Sequence, residues 1–185
     1  MKTSVLIVVL LAACAAQTQT LKLVTTHPEG AAAIPKGIQF LCTQNYDRQA
    51  CLQDASALRQ ALAPYPLEQL GSWSFVLVPA DDWKTIVGAL GGNTVSPAFS
   101  LIDQRTTVMD RSLFSASASR SKDFLREYGL TGRALLDLAV THEMGHGVCQ
   151  DKDERRADDY GRQLRGGKTL DCAQTPGRKI TLAAK

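Results

Sequence analysis

His142, Glu143 and His146, in the stretch His142-Glu143-Met144-Gly145-His146, have the residue types and spacing to hold a metal ion and to activate water beside it. Residues four apart lie on one face of a helix with 3.6 residues per turn, so both imidazoles can point at one ion with Zn–N distances of about 2.0–2.1 Å. Glu143, one step along, is displaced around the helix. It can reach a water beside the ion without taking a coordination position. Zinc lowers the pKa of such a water towards roughly 7, and a carboxylate placed there accepts its proton. Two of the chain's 3 histidines fall in this stretch. The third, His27, sits beside Pro28 and reads as a solvated loop residue.

A catalytic zinc site takes a third protein ligand and keeps a fourth position open. The continuation that would supply a third histidine fails, because Cys149 stands where a glycine belongs and Lys152 where the histidine would be. The chain runs on instead into Glu154-Arg155-Arg156-Ala157-Asp158. Glu154 and Asp158 share a helical face with Ala157 and Gly161, whose small size lets this helix approach the histidine helix closely. Arg155, Arg156, Asp159 and Arg162 fall on other faces, as a solvated side requires. The plainer reading is that Asp151, Asp153 and Glu154 only place negative charge at a helix amino terminus, where it is favourable.

The elements that must position these residues are read from pattern. Thr131 offers an N-cap for an apolar helix from Gly132 to about Val148. Ala134, Leu135, Leu136, Leu138, Ala139 and Val140 make its first half apolar almost all round, which indicates burial. Such a helix ending in two histidines and a glutamate needs a partner for that polarity, since an unpaired buried charge costs several kcal/mol. After a turn at Gln150-Asp151, a second helix is expected from about Lys152 to Arg165, stopped by Gly166-Gly167. Upstream, Leu52, Ala55, Leu58, Ala61 and Leu62 give an amphipathic helix within 46–62, and Trp73 to Val78 reads as a buried strand. Asp81 or Asp82 is expected to cap the short helix after that strand. Ala98 to Ile102 and Thr106 to Met109 read as a hairpin, residues 115–121 as a serine-rich connector, and 121–128 as a helix. Residues 17–36 read as a linker or a first strand.

The amino terminus has a short basic start, an unbroken apolar run from Val5 to Ala13, and small residues after it. Residues 1–16 are therefore expected to be a secretory signal peptide, too short for a permanent span of roughly 20 residues. Leu11-Ala12-Ala13-Cys14 also resembles a lipoprotein signal, in which Cys14 would carry lipid. Either route places residues 17–185 outside the cytoplasm. Four cysteines then remain, Cys42, Cys51, Cys149 and Cys172, an even number in a compartment that permits disulfides. Three connectivities are possible, and proximity favours 42–51 with 149–172. The formal charge of +3 is too small and dispersed for a nucleic-acid surface.

The two short motifs together resemble those of the gluzincins, in particular the HtpX and CAAX prenyl protease family with its soluble periplasmic relatives. The stretch Pro97-Ala98-Phe99-Ser100-Leu101, through Arg105-Thr106-Thr107-Val108, to Ser112-Leu113-Phe114 is similar to the hairpin before that family's zinc helix. The resemblance implies His142 and His146 as zinc ligands, Glu143 as general base, Glu154 as third ligand and Asp158 as a partner of a histidine ring. Seven residues separate His146 from Glu154 here, fewer than is usual in the family. The expected fold is α+β, a single zincin-like domain with a small sheet against the zinc helix and the helix after it. The expected activity is zinc-dependent hydrolysis of a peptide or protein substrate in a bacterial cell envelope. The alternative is a non-catalytic envelope interaction lipoprotein with a structural or vestigial zinc site.

Overall fold

Short runs rich in β-branched and aromatic residues build the sheet, because such side chains pack well on a pleated, half-buried surface. The computed structural model describes residues 21–23, 34–115, 120–170 and 172. Its strands are β1 (Leu21–Leu23), β2 (Ile38–Thr43), β3 (Trp73–Val78), β4 (Ala98–Leu101) and β5 (Thr106–Asp110). Among the described residues they form one mixed sheet in the order β1-β2-β3-β5-β4. The three central strands β2, β3 and β5 are parallel, while β1 and β4 run antiparallel at the two edges.

Among the described residues five helices complete the α+β domain: α1 (Arg48–Leu62), α2 (Ala80–Ala89), α3 (Ser121–Tyr128), α4 (Gly132–Cys149) and α5 (Glu154–Arg165). Alternation along the strands sends side chains to two separate cores. Phe40, Phe75, Leu77 and Met109 face one side, where they share a core with Leu58 and Leu62 of α1 and with Leu135, Val140 and Met144 of α4. Leu41, Val76, Val78 and Val108 face the other, against Trp83 and Val87 of α2. The sheet is thus covered on both faces, with α4 on the side away from α2.

The expected 98–109 hairpin exists as the antiparallel pair β4–β5, with Ala98 opposite Met109 and Leu101 opposite Thr106. Its connection is a 3-10 turn, Ile102–Gln104, closed by Arg105 in the left-handed region at φ 50°. Because β5 also pairs with β3, the hairpin is the margin of the main sheet. The helix expected within 46–62 begins at Arg48, where the Asp47 carboxylate accepts from the Ala50 N–H. Tyr46 turns into the core instead, donating its hydroxyl to Asp54 at 2.7 Å. The capping role expected of Asp81 or Asp82 is not found, for Pro79 occupies the N-cap and both aspartates lie in the first turn of α2, where they still face the positive end of its dipole. Thr131 does stand at the N-cap of α4, but its side chain makes no capping bond.

Both disulfides favoured by proximity are present, Cys42–Cys51 and Cys149–Cys172. The second ties the last residue of α4 to the segment beyond α5, and closing a loop of separation 23 contributes about 3 kcal/mol by the chain-entropy argument. Residues 1–16, with Cys14, and His27 lie outside the described residues, as does 116–119 of the serine-rich connector. No helix among the described residues is long and apolar enough to cross a membrane.

Helices α4 and α5 meet at three small residues. A Cβ on Gly145 would stand 2.8 Å from the Cβ of Tyr160 and 3.0 Å from the carbonyl oxygen of Ala157. One on Gly161 would stand 3.2 Å from the main-chain nitrogen of His142. Gly145→Ala gains helix propensity of up to about 1 kcal/mol, but overpacking costs about 1–3 kcal/mol and here part of the obstacle is backbone. The substitution is therefore expected to lower stability, read as a fall in the urea midpoint. An unchanged or raised midpoint would show that the two helices separate freely.

Candidate metal centre

The centre is built from the carboxyl-terminal half of α4, the turn after it, and the first turns of α5. Helix α4 ends where Gln150 takes a left-handed conformation at φ 51°, and the chain folds back so that the N–H groups of Gln150 and Asp151 both reach the His146 carbonyl. Asp153 caps α5, its carboxylate accepting from the Arg156 N–H at 3.0 Å. The second helix thus starts at Glu154, two residues later than the pattern suggested. The plainer reading is correct for Asp153, while Glu154 extends towards the histidines.

Each imidazole is oriented through its Nδ1. His146 Nδ1 donates to the main-chain oxygen of Asp151 at 2.5 Å, and His142 Nδ1 to Oδ1 of Asp158 at 2.9 Å. A carbonyl oxygen can only accept, so the proton of His146 resides on Nδ1. The Asp158 carboxylate imposes the same on His142. In the neutral rings both Nε2 atoms are then bare lone pairs, yet they face each other at 3.2 Å. Glu154 Oε2 adds a third acceptor, 3.0 Å from His142 Nε2 and 3.5 Å from His146 Nε2. Three acceptors this close are placed to share a cation at their centre. Ligands about 2.0–2.1 Å from a tetrahedral ion lie roughly 3.3–3.4 Å from one another. The observed separations bracket that value, so the group His142, His146 and Glu154 can hold a metal ion.

Burial is graded across the centre. The His146 side chain is 6% exposed and that of His142 20%, whereas Glu154 is 77% exposed and Asp158 55%. Glu143 is buried against β4, one of its oxygens, Oε2, without a hydrogen-bond partner. Burial pushes its carboxyl above the ordinary carboxylate range. The His142 imidazole, a hydrogen bond with Ser100 and the His146 imidazole pull the other way, and Glu154 pushes it up again. An unsatisfied buried carboxylate oxygen is costly.

A cleft of about 850 Å³ opens over these residues, between β4 and α4. Phe99, Ser100 and Leu101 form one wall, and Leu135, Leu138 and Ala139 extend the other along α4. Lys152 reaches across the rim to Asp103 at 2.9 Å. Tyr128, which sequence reasoning passed over, also lines the cleft, and so does Ser100, which bonds Thr107 at 2.9 Å and the Glu143 carboxyl. Burial pushes the Tyr128 phenol up, although a hydrogen bond with Ser96 pulls it down, so it remains protonated at neutral pH. No residue pattern pointed to Tyr128, and the Asp151 carbonyl is main chain, for which sequence carries no signal.

Comparison with protein-family profiles, with curated proteins and with solved structures gives no match to this chain. Function is therefore inferred from the geometry itself.

Proposed function

We propose that the protein is an exported zinc-dependent metallopeptidase, a soluble relative of the gluzincins, with His142, His146 and Glu154 as ligands and Glu143 as general base. The single observation that carries this reading is the convergence of His142 Nε2, His146 Nε2 and Glu154 Oε2 within 3.0–3.5 Å of one another, with the Glu143 carboxylate buried beside them. Three protein ligands suit a catalytic centre, since structural sites take four. The two disulfides fit an oxidising compartment, in keeping with export and with a lipid anchor at Cys14.

When bound, zinc supplies a Lewis acid that polarises the scissile carbonyl and acidifies a water in its open position. Glu143 would take a proton from the attacking water and return it to the leaving amine, as the water oxygen bonds to the carbonyl carbon and the carbon–nitrogen bond breaks. Asp158 and the Asp151 carbonyl hold the rings in the tautomer that presents Nε2. The β4–β5 register turns the main-chain groups of Ser100 away from β5, towards the open edge, where an extended peptide can pair with them.

Purified protein should contain one zinc per chain and should cleave an unstructured protein such as casein, with activity removed by 1,10-phenanthroline and restored by zinc. Protein that retains no zinc after dialysis against it would falsify the metal assignment. Full zinc with no cleavage would favour the non-catalytic alternative.

A further inference from the structure

We propose that Arg156 is a positioning residue of the metal centre, fixing the His146 ring through Asp151. This rests on the metal reading above. The Arg156 guanidinium grips the Asp151 carboxylate at two points, Nε to Oδ2 at 2.6 Å and Nη2 to Oδ1 at 2.8 Å. Asp151 Oδ1 also accepts the Asp153 N–H at 3.0 Å, while Asp153 accepts the Arg156 N–H at 3.0 Å. The turn is thus a closed ring of bonds in which Arg156 holds Asp151 by its side chain and is held by its own main chain. From this ring hang two parts of the centre, the Asp151 carbonyl that receives His146 Nδ1 at 2.5 Å and the Glu154 carboxylate. The ring comes directly after Gln150, a non-glycine residue in the left-handed region, so the reversal needs contacts outside itself to persist. A planar fork fixes a carboxylate in orientation as well as distance, which an ammonium group does not.

The sign of the effect separates positioning from simple charge. Arg156 carries a positive charge close to a cation site, so its removal alone should tighten zinc binding. Loss of positioning should weaken it. Competition against a chromogenic chelator is therefore expected to show Arg156→Gln with a zinc dissociation constant about 10–100-fold above that of the parent, the range for lost outer partners of metal ligands. Arg156→Lys, which keeps the charge and loses the fork, should fall between. Arg162→Gln removes the same charge from the same helix, where it pairs with Asp159, and should stay within about twofold of the parent. In the metal-free protein, nitrogen NMR should show the His146 Nδ1–H exchanging faster in Arg156→Gln. Parent-like or tighter zinc binding in Arg156→Gln and Arg156→Lys overturns the proposal, as does equal weakening in Arg162→Gln. A parent that binds no zinc overturns the metal reading instead, a result distinct from either.

Discussion

Glu143→Gln is expected to leave zinc stoichiometry unchanged and to lower peptide hydrolysis by a factor on the order of 10²–10⁴, the usual contribution of a general acid–base group. An amide fills the same space between β4 and α4 but cannot accept a proton from water. Glu143 lies outside the ligand triangle, so its loss should not disturb metal binding. Stability points the same way. Burial pushes this carboxyl up and Oε2 is without a partner, so a neutral side chain there should give a melting temperature equal to or above the parent's. Turnover equal to the parent in a fully metallated variant would remove Glu143 from the mechanism. Loss of zinc together with activity would instead make it part of the metal site.

Glu154→Ala is the other substitution with a large expected effect. It removes one of three converging acceptors, leaving two imidazoles and a solvent-facing gap, and zinc affinity should fall by well over about 100-fold, beyond the range for lost outer partners. Asp158→Ala removes only the acceptor for His142 Nδ1–H, and the expected loss is about 10–100-fold. The ordering is the test, measured by chelator competition on folded, dialysed protein. If Glu154→Ala binds as tightly as the parent while Asp151→Ala or Asp153→Ala does not, Glu154 is not the ligand. High exposure of Glu154 makes the experiment clean, because its truncation opens no cavity in the core.

The features legible in the sequence were those that helix geometry makes local. Histidines four apart share a face by the pitch of the helix alone, and the small residues Ala157 and Gly161 revealed the close approach of α5 for the same reason. Strand identity was also legible, since Trp73–Val78 combines apolar content with a length too short for a helix. Strand order was not. Nothing in the pattern of 106–110 says that it lies between β3 and β4, because an apolar strand fits any central place in a sheet. The Asp81 and Asp82 expectation failed through competition, as Pro79 already supplied the turn into α2. At the centre, side chains could be read and main chain could not, so the Asp151 carbonyl and the Arg156 grip appear only in three dimensions.

All candidate ligands and the groups that orient them fall between His142 and Asp158, inside one helix–turn–helix. Closing such short loops costs little chain entropy, so a metal ion can gather these residues before the sheet has assembled. The same locality is expected to give the unfolded chain a measurable affinity for zinc. Linkage then reduces the stabilisation that saturating zinc confers on the folded state below what its folded-state dissociation constant alone would give. Calorimetric melting across a zinc titration should therefore show a melting-temperature gain that levels off at high metal, rather than climbing with the logarithm of free zinc.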